Sequence, residues 1–99
     1  MITIVAKFDV KSQSSDEFIK AAIDVTRESR KERGNLSYKI CHKRGDKTKF
    51  TFIEEWLNDV SIEQHNNSKH FREFVNIITP LLNKDIEIEQ LEKVPSIFY

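Results

Sequence analysis

Residues 50–74 contain one change of hydrophobic period, and this change constrains the fold more than any other feature of the chain. Phe50, Phe52 and Trp56 share one side of an extended chain, which is typical of a β-strand with one buried face. After Asn58, a residue type favoured at helix starts, the longer period of a helix begins, and Ser68 starts another helix. The segment is therefore predicted to form one strand followed by a pair of helices.

The other predicted strands and helices complete an order of elements along the chain that is typical of one fold class. The predicted elements are a strand over residues 2–10, a helix over residues 14–33, strands over residues 36–43 and 50–56, a pair of helices over residues 58–79, and a strand over residues 86–94. This is the split βαβ order of ferredoxin-like folds, an α+β class with a four-stranded antiparallel sheet and helices on one face. Residues 1–99 are predicted to form a single domain of this kind.

Local signals predict where these elements end. Ser14 and Glu17 have the spacing of a capping box, and Gly34 is predicted to end the first helix. Gly45 is predicted to occupy the first central position of a tight turn between the second and third strands. The apolar residues of the last strand do not keep one parity, which is typical of a bulge or a register shift.

The charge balance excludes strongly polyionic classes of binding protein. Lys plus Arg and Asp plus Glu number 16 each, so the net charge of zero gives no general attraction to nucleic acid or to an anionic membrane. No stretch approaches the roughly 20 apolar residues that span a bilayer, and the first residues do not resemble a signal peptide. The single Cys41 cannot form an internal disulfide and is predicted to be buried or half-buried. We therefore expect a cytoplasmic protein.

Three ionisable side chains within residues 50–74 lie where they could do chemistry. Glu54 shares the apolar side of its strand with Trp56, so it loses water and is either functional or satisfied by a hydrogen bond. His65, at the end of a helix, titrates near neutral pH and can act as a general base, or it can instead satisfy a backbone carbonyl. His70 lies just inside the next helix and can interact with a neighbouring loop.

The sequence predicts neither a metal site nor a nucleotide cofactor. A metal site needs three or four converging ligands, and a helix start separates His65 from His70, so the two histidines are not expected to share a helix face. Gly34 and Gly45 are the only glycines, so phosphate-binding loops of the kind that hold flavin or nicotinamide are absent. We expect no cofactor.

Two groups of residues have the spacing of a known family. The first is Glu54-x-Trp56, followed nine positions later by His65 and then by Ser68-x-His70-Phe71, and the second is Gly34-Asn35-Leu36-Ser37-Tyr38. This pattern resembles the antibiotic biosynthesis monooxygenase domain, whose quinol monooxygenase members are small cofactor-free enzymes. Lys69 departs from the pattern, because many members have proline before the histidine.

The resemblance implies a cofactor-independent monooxygenase that acts on a small aromatic or quinol-type substrate with dioxygen. His65 and Glu54 would be the catalytic residues, with His65 taking a proton from the substrate and Glu54 or Tyr38 orienting it. The residues implied to bind the substrate are Tyr38, Phe52, Trp56, His70 and Phe71.

The resemblance also implies a homodimer, in which two sheets pair through their helix-free faces as a dimeric α/β barrel. The apolar residues 97–99 could reach a partner subunit. Two other functions stay open. One is a non-catalytic dimeric module that binds a small ligand in the same pocket. The other is isomerase-type chemistry on a phosphorylated carbonyl like autoinducer-2, because a branch of the family that handles this molecule has a similar pattern.

Overall fold

Four strands form one antiparallel sheet in the computed structural model, which describes residues 1–99. The strands are β1 (Ile2–Asp9), β2 (Asn35–Lys43), β3 (Asp46–Trp56) and β4 (Glu87–Glu92). Their order across the sheet is β2-β3-β1-β4, so β1 and β3 are central and the other two strands form the edges. This topology confirms the predicted α+β, ferredoxin-like fold.

Three helices cover one face of the sheet. They are α1 (Ser15–Ser29), α2 (Asp59–Asn66) and α3 (Lys69–Ile78). The Asn58 side chain accepts a hydrogen bond from the Ser61 backbone N–H, and the Ser68 side chain accepts one from the Phe71 N–H, so both predicted helix starts are confirmed. Pro80 lies in the short 3-10 helix that follows α3. None of the helices combines the length and apolarity that a membrane crossing requires.

The core lies between the helices and the inward face of the two central strands. The ring centroids of Phe8 and Phe52 are 4.6 Å apart, and those of Phe18 and Phe50 are also 4.6 Å apart. Each of these four side chains is at most 5% exposed, and burying a side chain of this size contributes about 1.5–3 kcal/mol. The same alternation carries Glu54 inward, where it is 5% exposed.

Both ends of α1 differ from the prediction. Ser14 is the last residue of a 3-10 turn, with φ −111° and ψ 4°, and its side chain makes no capping hydrogen bond, so the predicted cap with Glu17 does not form. At its other end the helix stops at Ser29. Arg30 then donates two hydrogen bonds, of 3.1 and 2.7 Å, to the Tyr38 carbonyl oxygen and ties the segment after α1 to β2.

Gly34 is required by close packing between this segment and α2. A Cβ atom at this position would lie 1.9 Å from the Ser61 hydroxyl oxygen and 2.2 Å from Ser61 Cβ. The Gly34 carbonyl oxygen also accepts a hydrogen bond from the Leu57 N–H at 2.9 Å. The prediction that Gly34 ends the first helix is therefore wrong, because the helix ends earlier and this glycine instead lets the chain approach α2.

A bulge in β2 decides which of its residues face the core. The register with β3 shifts between Asn35 and Ser37, and Leu36 is left 52% exposed. Tyr38 pairs with Glu54 and is only 1% exposed. The Tyr38 ring is therefore brought into the core beside the Glu54 carboxyl group.

Three smaller predictions about the strands are wrong. The turn between β2 and β3 consists of Arg44 and Gly45, so the glycine, at φ +79°, occupies the second central position. Cys41 is exposed, because it lies on the helix-free side of the sheet. The pairing of β4 with β1 is continuous and has no bulge, because Leu91 lies on the helix-free face opposite Thr3.

Candidate active site

A cavity of about 180 Å³ lies between the inward face of the sheet and helices α2 and α3. Eleven of its fifteen lining residues are hydrophobic, and Tyr38 is among them. The other four are Glu54, His65, Asn66 and Gln90. A mostly apolar cavity with a few polar groups is the usual form of a binding site for a small molecule.

Five of the seven predicted site residues line this cavity. They are Tyr38, Phe52, Glu54, His65 and Phe71. Trp56 is fully buried behind the lining, where its ring centroid lies 4.5 Å from that of His65. His70 also lies outside the cavity. Its Nε2 atom contacts the Glu32 carboxylate, which in turn contacts His65. The structure therefore places Trp56 and His70 outside the lining of the cavity, in contact with Glu54 and Glu32 respectively.

Glu54 is positioned by the alternation of β3. Its Oε1 atom accepts a hydrogen bond from Trp56 Nε1 at 2.9 Å. Burial raises the pKa of the Glu54 carboxyl to about 7, although the Trp56 hydrogen bond acts in the opposite direction. At neutral pH this carboxyl group is therefore present in both protonation states, and it can accept a proton or donate one.

Tyr38 lies opposite Glu54 in the register of β2 and β3. Its buried hydroxyl group lies near the Ser29 and Glu54 side chains without a well-formed hydrogen bond to either, so it can donate one to a molecule in the cavity. Burial, and then the negative charge of Glu54, raise the pKa of Tyr38 above its usual value. The hydroxyl group therefore stays protonated at neutral pH and can act as a hydrogen-bond donor.

His65 lies in the last turn of α2, with its ring centroid 4.5 Å from that of Trp56 and 4.6 Å from that of Phe71. Its Nδ1 atom is 2.7 Å from Glu32 Oε2, whereas its Nε2 atom is buried and has no hydrogen-bond partner. Burial lowers the pKa of His65, and the nearby Glu32 opposes this effect only in part. The imidazole is therefore neutral at neutral pH, and Nε2 is the nitrogen left for a molecule in the cavity.

Glu32 belongs to the site, although the sequence pattern did not single it out. It lies in the segment after α1, 33 residues before His65, and its side chain is 17% exposed. The oxygen that contacts His65 also lies 2.9 Å from His70 Nε2. The sequence signals that could have indicated Glu32 are weak: it is the acidic residue in the basic run of residues 30–33, and it closely precedes Gly34.

The two histidines lie on different helices, α2 and α3, and do not share a helix face, but both contact one carboxylate, which the sequence analysis did not expect. Glu32, His65 and His70 present donor atoms that lie within 4.8 Å of one another. Two histidines and a glutamate are a ligand set that zinc uses in some enzymes. The distances of 2.7 and 2.9 Å to a single carboxylate oxygen are those of hydrogen bonds, so the geometry is that of a hydrogen-bonded triad.

Fold and site together define a class of protein: a ferredoxin-like α+β protein with a small, mostly apolar cavity and acid–base groups in its lining. The comparison with protein families gives the class a name. The model of the family described as antibiotic biosynthesis monooxygenase matches residues 1–77. The chain belongs to this family, and family membership supports a monooxygenase-like role.

Relatives and solved structures agree with this assignment. The chain is 30% identical over 92 residues to "Putative monooxygenase YcnE" of Bacillus subtilis (strain 168). The aligned region covers 93% of this chain and 97% of that protein. A conserved protein from Methanosarcina mazei Go1 has a TM-score of 0.90 at 31% identity, covering 94% of this chain and 92% of that chain. A crystal structure of an antibiotic biosynthesis monooxygenase has a TM-score of 0.92, covering 96% of this chain and 100% of that chain. Its identity is 24%, so this likeness shows the fold alone.

Proposed function

We propose that this protein is a cofactor-independent monooxygenase that oxidises a small phenol or quinol with dioxygen. The observation that carries the proposal is the buried Nε2 of His65, which has no protein partner and belongs to a residue that lines an apolar cavity together with Glu54. An imidazole nitrogen in such a place can take a proton from a substrate hydroxyl group. Family membership and the name of the Bacillus subtilis relative support oxygenase chemistry.

Proton removal is the step that His65 would supply. A phenolic hydroxyl group has a pKa near 10, as in tyrosine, so little of the substrate is the electron-rich anion at neutral pH. Transfer of the proton to Nε2 forms this anion inside the cavity, where the free Tyr38 hydroxyl group can donate a hydrogen bond to it. Positioned acid–base groups typically contribute about 10² to 10⁴ in rate.

The substrate anion would then supply the electrons that reduce dioxygen. Dioxygen adds to a ring carbon as a hydroperoxide. Loss of the proton from that carbon and cleavage of the O–O bond then form a ring carbonyl, and the outer oxygen atom leaves as water. A quinol and dioxygen thus give a hydroxyquinone and one water, with no external reductant. Glu54 can supply a proton to the departing oxygen, because its pKa is raised to about 7.

The size and charge of the cavity limit the substrate to about one uncharged ring. The volume of about 180 Å³ is close to the roughly 150 Å³ of an engineered cavity that binds benzene. The apolar lining disfavours charged substituents, and an ionised Glu54 would repel an anionic one. We therefore expect quinols and phenols with one ring to react faster than carboxylated or multi-ring compounds.

A panel of one-ring quinols, multi-ring quinols and carboxylated phenols tests the proposal. Oxygen uptake is followed with an electrode, and mass spectrometry after reaction with isotope-labelled dioxygen shows whether one labelled atom enters the product. His65→Gln should lower uptake by about 10²-fold or more. The matched control is His42→Gln, at an exposed histidine near the end of β2, and it should leave uptake unchanged. No uptake with any member of the panel would refute the proposal.

Two other functions would use the same cavity. A non-catalytic module would bind members of the panel without consuming oxygen, so calorimetry beside the oxygen electrode separates binding from turnover. An isomerase for a phosphorylated carbonyl would need a cation to hold the phosphate, and no lysine or arginine lines the cavity. The lining therefore favours the oxygenase over the isomerase.

We also propose that the chain forms a homodimer through the helix-free face of the sheet. On that face Ile53 pairs with Val5 and is 38% exposed, and Leu91 is 45% exposed. The apolar residues 97–99 are each at least 76% exposed. Apolar surface of this kind commonly marks an interface. A monomeric mass by sedimentation at micromolar concentration would reject the dimer.

A further inference from the structure

We propose that Glu32 is a positioning residue that holds His65 in the tautomer with its proton on Nδ1. In that tautomer Nε2 carries the lone pair and can accept a proton or a hydrogen bond from a molecule in the cavity. The catalytic meaning of this arrangement rests on the proposed function. The tautomer itself is a property of the free protein and can be measured without a substrate.

The Glu32 carboxylate determines where the proton lies, because an ionised carboxylate can only accept a hydrogen bond. Its Oε2 atom is 2.7 Å from His65 Nδ1, so the bond requires a proton on Nδ1. A neutral imidazole has only one N–H group, and Nε2 is therefore left without a proton. The burial of Nε2 without a protein partner agrees with an acceptor that is kept for a bound molecule.

The second contact of Glu32 is with His70. The same Oε2 atom lies 2.9 Å from His70 Nε2, which must also donate a proton to this bond. Both imidazoles thus contact the same carboxylate oxygen, which holds that oxygen at His65 Nδ1. His70 therefore acts on His65 through Glu32, which gives a physical role to a histidine that does not line the cavity.

The backbone of Glu32 is fixed by the fold. Its N–H group donates to the Ser29 carbonyl oxygen at 3.0 Å, and its own carbonyl oxygen accepts from the Asn35 N–H at 3.1 Å. Gly34 allows this segment to lie directly against Ser61 of α2, the helix that carries His65. The carboxylate is thus held at the imidazole by two anchored segments, as a preorganised site requires.

The tautomer can be read by NMR on protein that carries isotope-labelled histidine. Long-range proton–nitrogen correlations separate a protonated ring nitrogen from an unprotonated one, and the loss of one set of signals in His65→Gln assigns His65. In the wild-type protein at neutral pH we expect a protonated Nδ1 and an unprotonated Nε2. A wild-type spectrum with the proton on Nε2 would overturn the proposal without any variant of Glu32.

Glu32→Gln keeps the size of the side chain and removes the obligatory acceptor, because an amide can present either an oxygen or an NH₂ group to Nδ1. We expect the Nε2-protonated tautomer of His65 to appear in this variant. The matched control is Glu28→Gln, which removes one negative charge from an exposed position near the end of α1 and should leave the spectrum unchanged. An unchanged tautomer in Glu32→Gln would refute the role of Glu32.

Kinetics then connect the tautomer to turnover. With a reactive substrate, Glu32→Gln should lower kcat/KM by roughly 10²-fold and change its pH profile, since loss of the equivalent carboxylate in a Ser-His-Asp triad lowers kcat by about 10⁴ through the wrong tautomer. If no substrate reacts, the oxygenase proposal fails and the spectrum still decides the role of Glu32. If turnover is found but the spectrum shows the other tautomer, the oxygenase proposal stands and that role is rejected.

Discussion

Replacing Gly34 with alanine tests how closely the segment that carries Glu32 must approach α2. The added carbon would lie 1.9 Å from the Ser61 hydroxyl oxygen and 2.2 Å from Ser61 Cβ, far inside the ordinary contact distance of about 3.5–4.0 Å. One of the two segments must move, and overpacking of this kind typically destabilises a protein by about 1–3 kcal/mol. For a chain of this size, the melting temperature falls by roughly 4–8 °C per kcal/mol.

Because the clash involves side-chain atoms of Ser61, Ser61→Gly should relieve it. The next neighbour, Ser61 Cα, lies at 3.4 Å. Ser61→Gly alone should destabilise the protein by about 1–2 kcal/mol, since glycine is unfavourable in a helix and the hydroxyl group loses its hydrogen bond to Asn58. The double variant should therefore be more stable than the sum of the single changes implies, by about 1–3 kcal/mol.

Urea unfolding of the wild type, the two single variants and the double variant gives this coupling energy. Gly45→Ala is the matched control, because a Cβ there meets nothing within 4 Å while the φ of +79° strains any other residue. It should destabilise by about 1–2 kcal/mol whether or not Ser61 is changed. Gly34→Ala with wild-type stability, or a coupling with Ser61→Gly of less than about 0.3 kcal/mol, would refute the packing argument.

Three further predictions follow from the site and the sheet. Because the pKa of Glu54 is raised from 4.5 to about 7, the folded protein holds a proton that the unfolded chain releases, and stability should fall as pH rises through this window. In urea unfolding, Glu54→Gln should abolish this pH-dependent loss of up to about 3 kcal/mol in the free energy of unfolding, whereas the control Glu55→Gln should leave it in place. If the free energy of unfolding changed with pH equally in the wild type and in Glu54→Gln, Glu54 would not be its source. Ile53→Glu should convert a dimer to a monomer in sedimentation, while Val60→Glu, at a 59% exposed position of α2, should not. An unchanged mass for Ile53→Glu would count against the helix-free face as the interface. Active protein should contain no stoichiometric metal, flavin or haem, and metal analysis or an absorbance spectrum that shows one would reject cofactor-independent turnover.

The inward position of Glu54 could be predicted because a strand has only two faces, and Phe50, Phe52 and Trp56 fix which face is buried. The position of His65 at the end of a helix could also be predicted, since Asn58 starts that helix with its side-chain cap. Patterns of this kind act over a few residues, and local geometry is enough to interpret them.

Glu32 could not be predicted in the same way, because its contact with His65 joins residues 33 positions apart and has no sequence period. It depends on the close approach of Gly34 to Ser61, which only the packed chain reveals. The bulge at Leu36 was hidden for a related reason, since it changes the register of pairing with β3 and leaves the alternation of β2 itself looking regular. Long-range packing therefore determined the part of the site that local patterns missed.

The role of His65 as the base is tested most directly by kcat/KM for oxygen uptake by the wild type and by His65→Gln, measured from pH 6 to 8 with the best one-ring substrate. His65 is 2% exposed, so the melting temperature of each protein is measured beside its kinetics to separate lost chemistry from lost folding. We expect a folded variant whose kcat/KM is lower by about 10²- to 10⁴-fold. A folded His65→Gln protein that keeps full turnover across this range would contradict the assignment of His65 as the base.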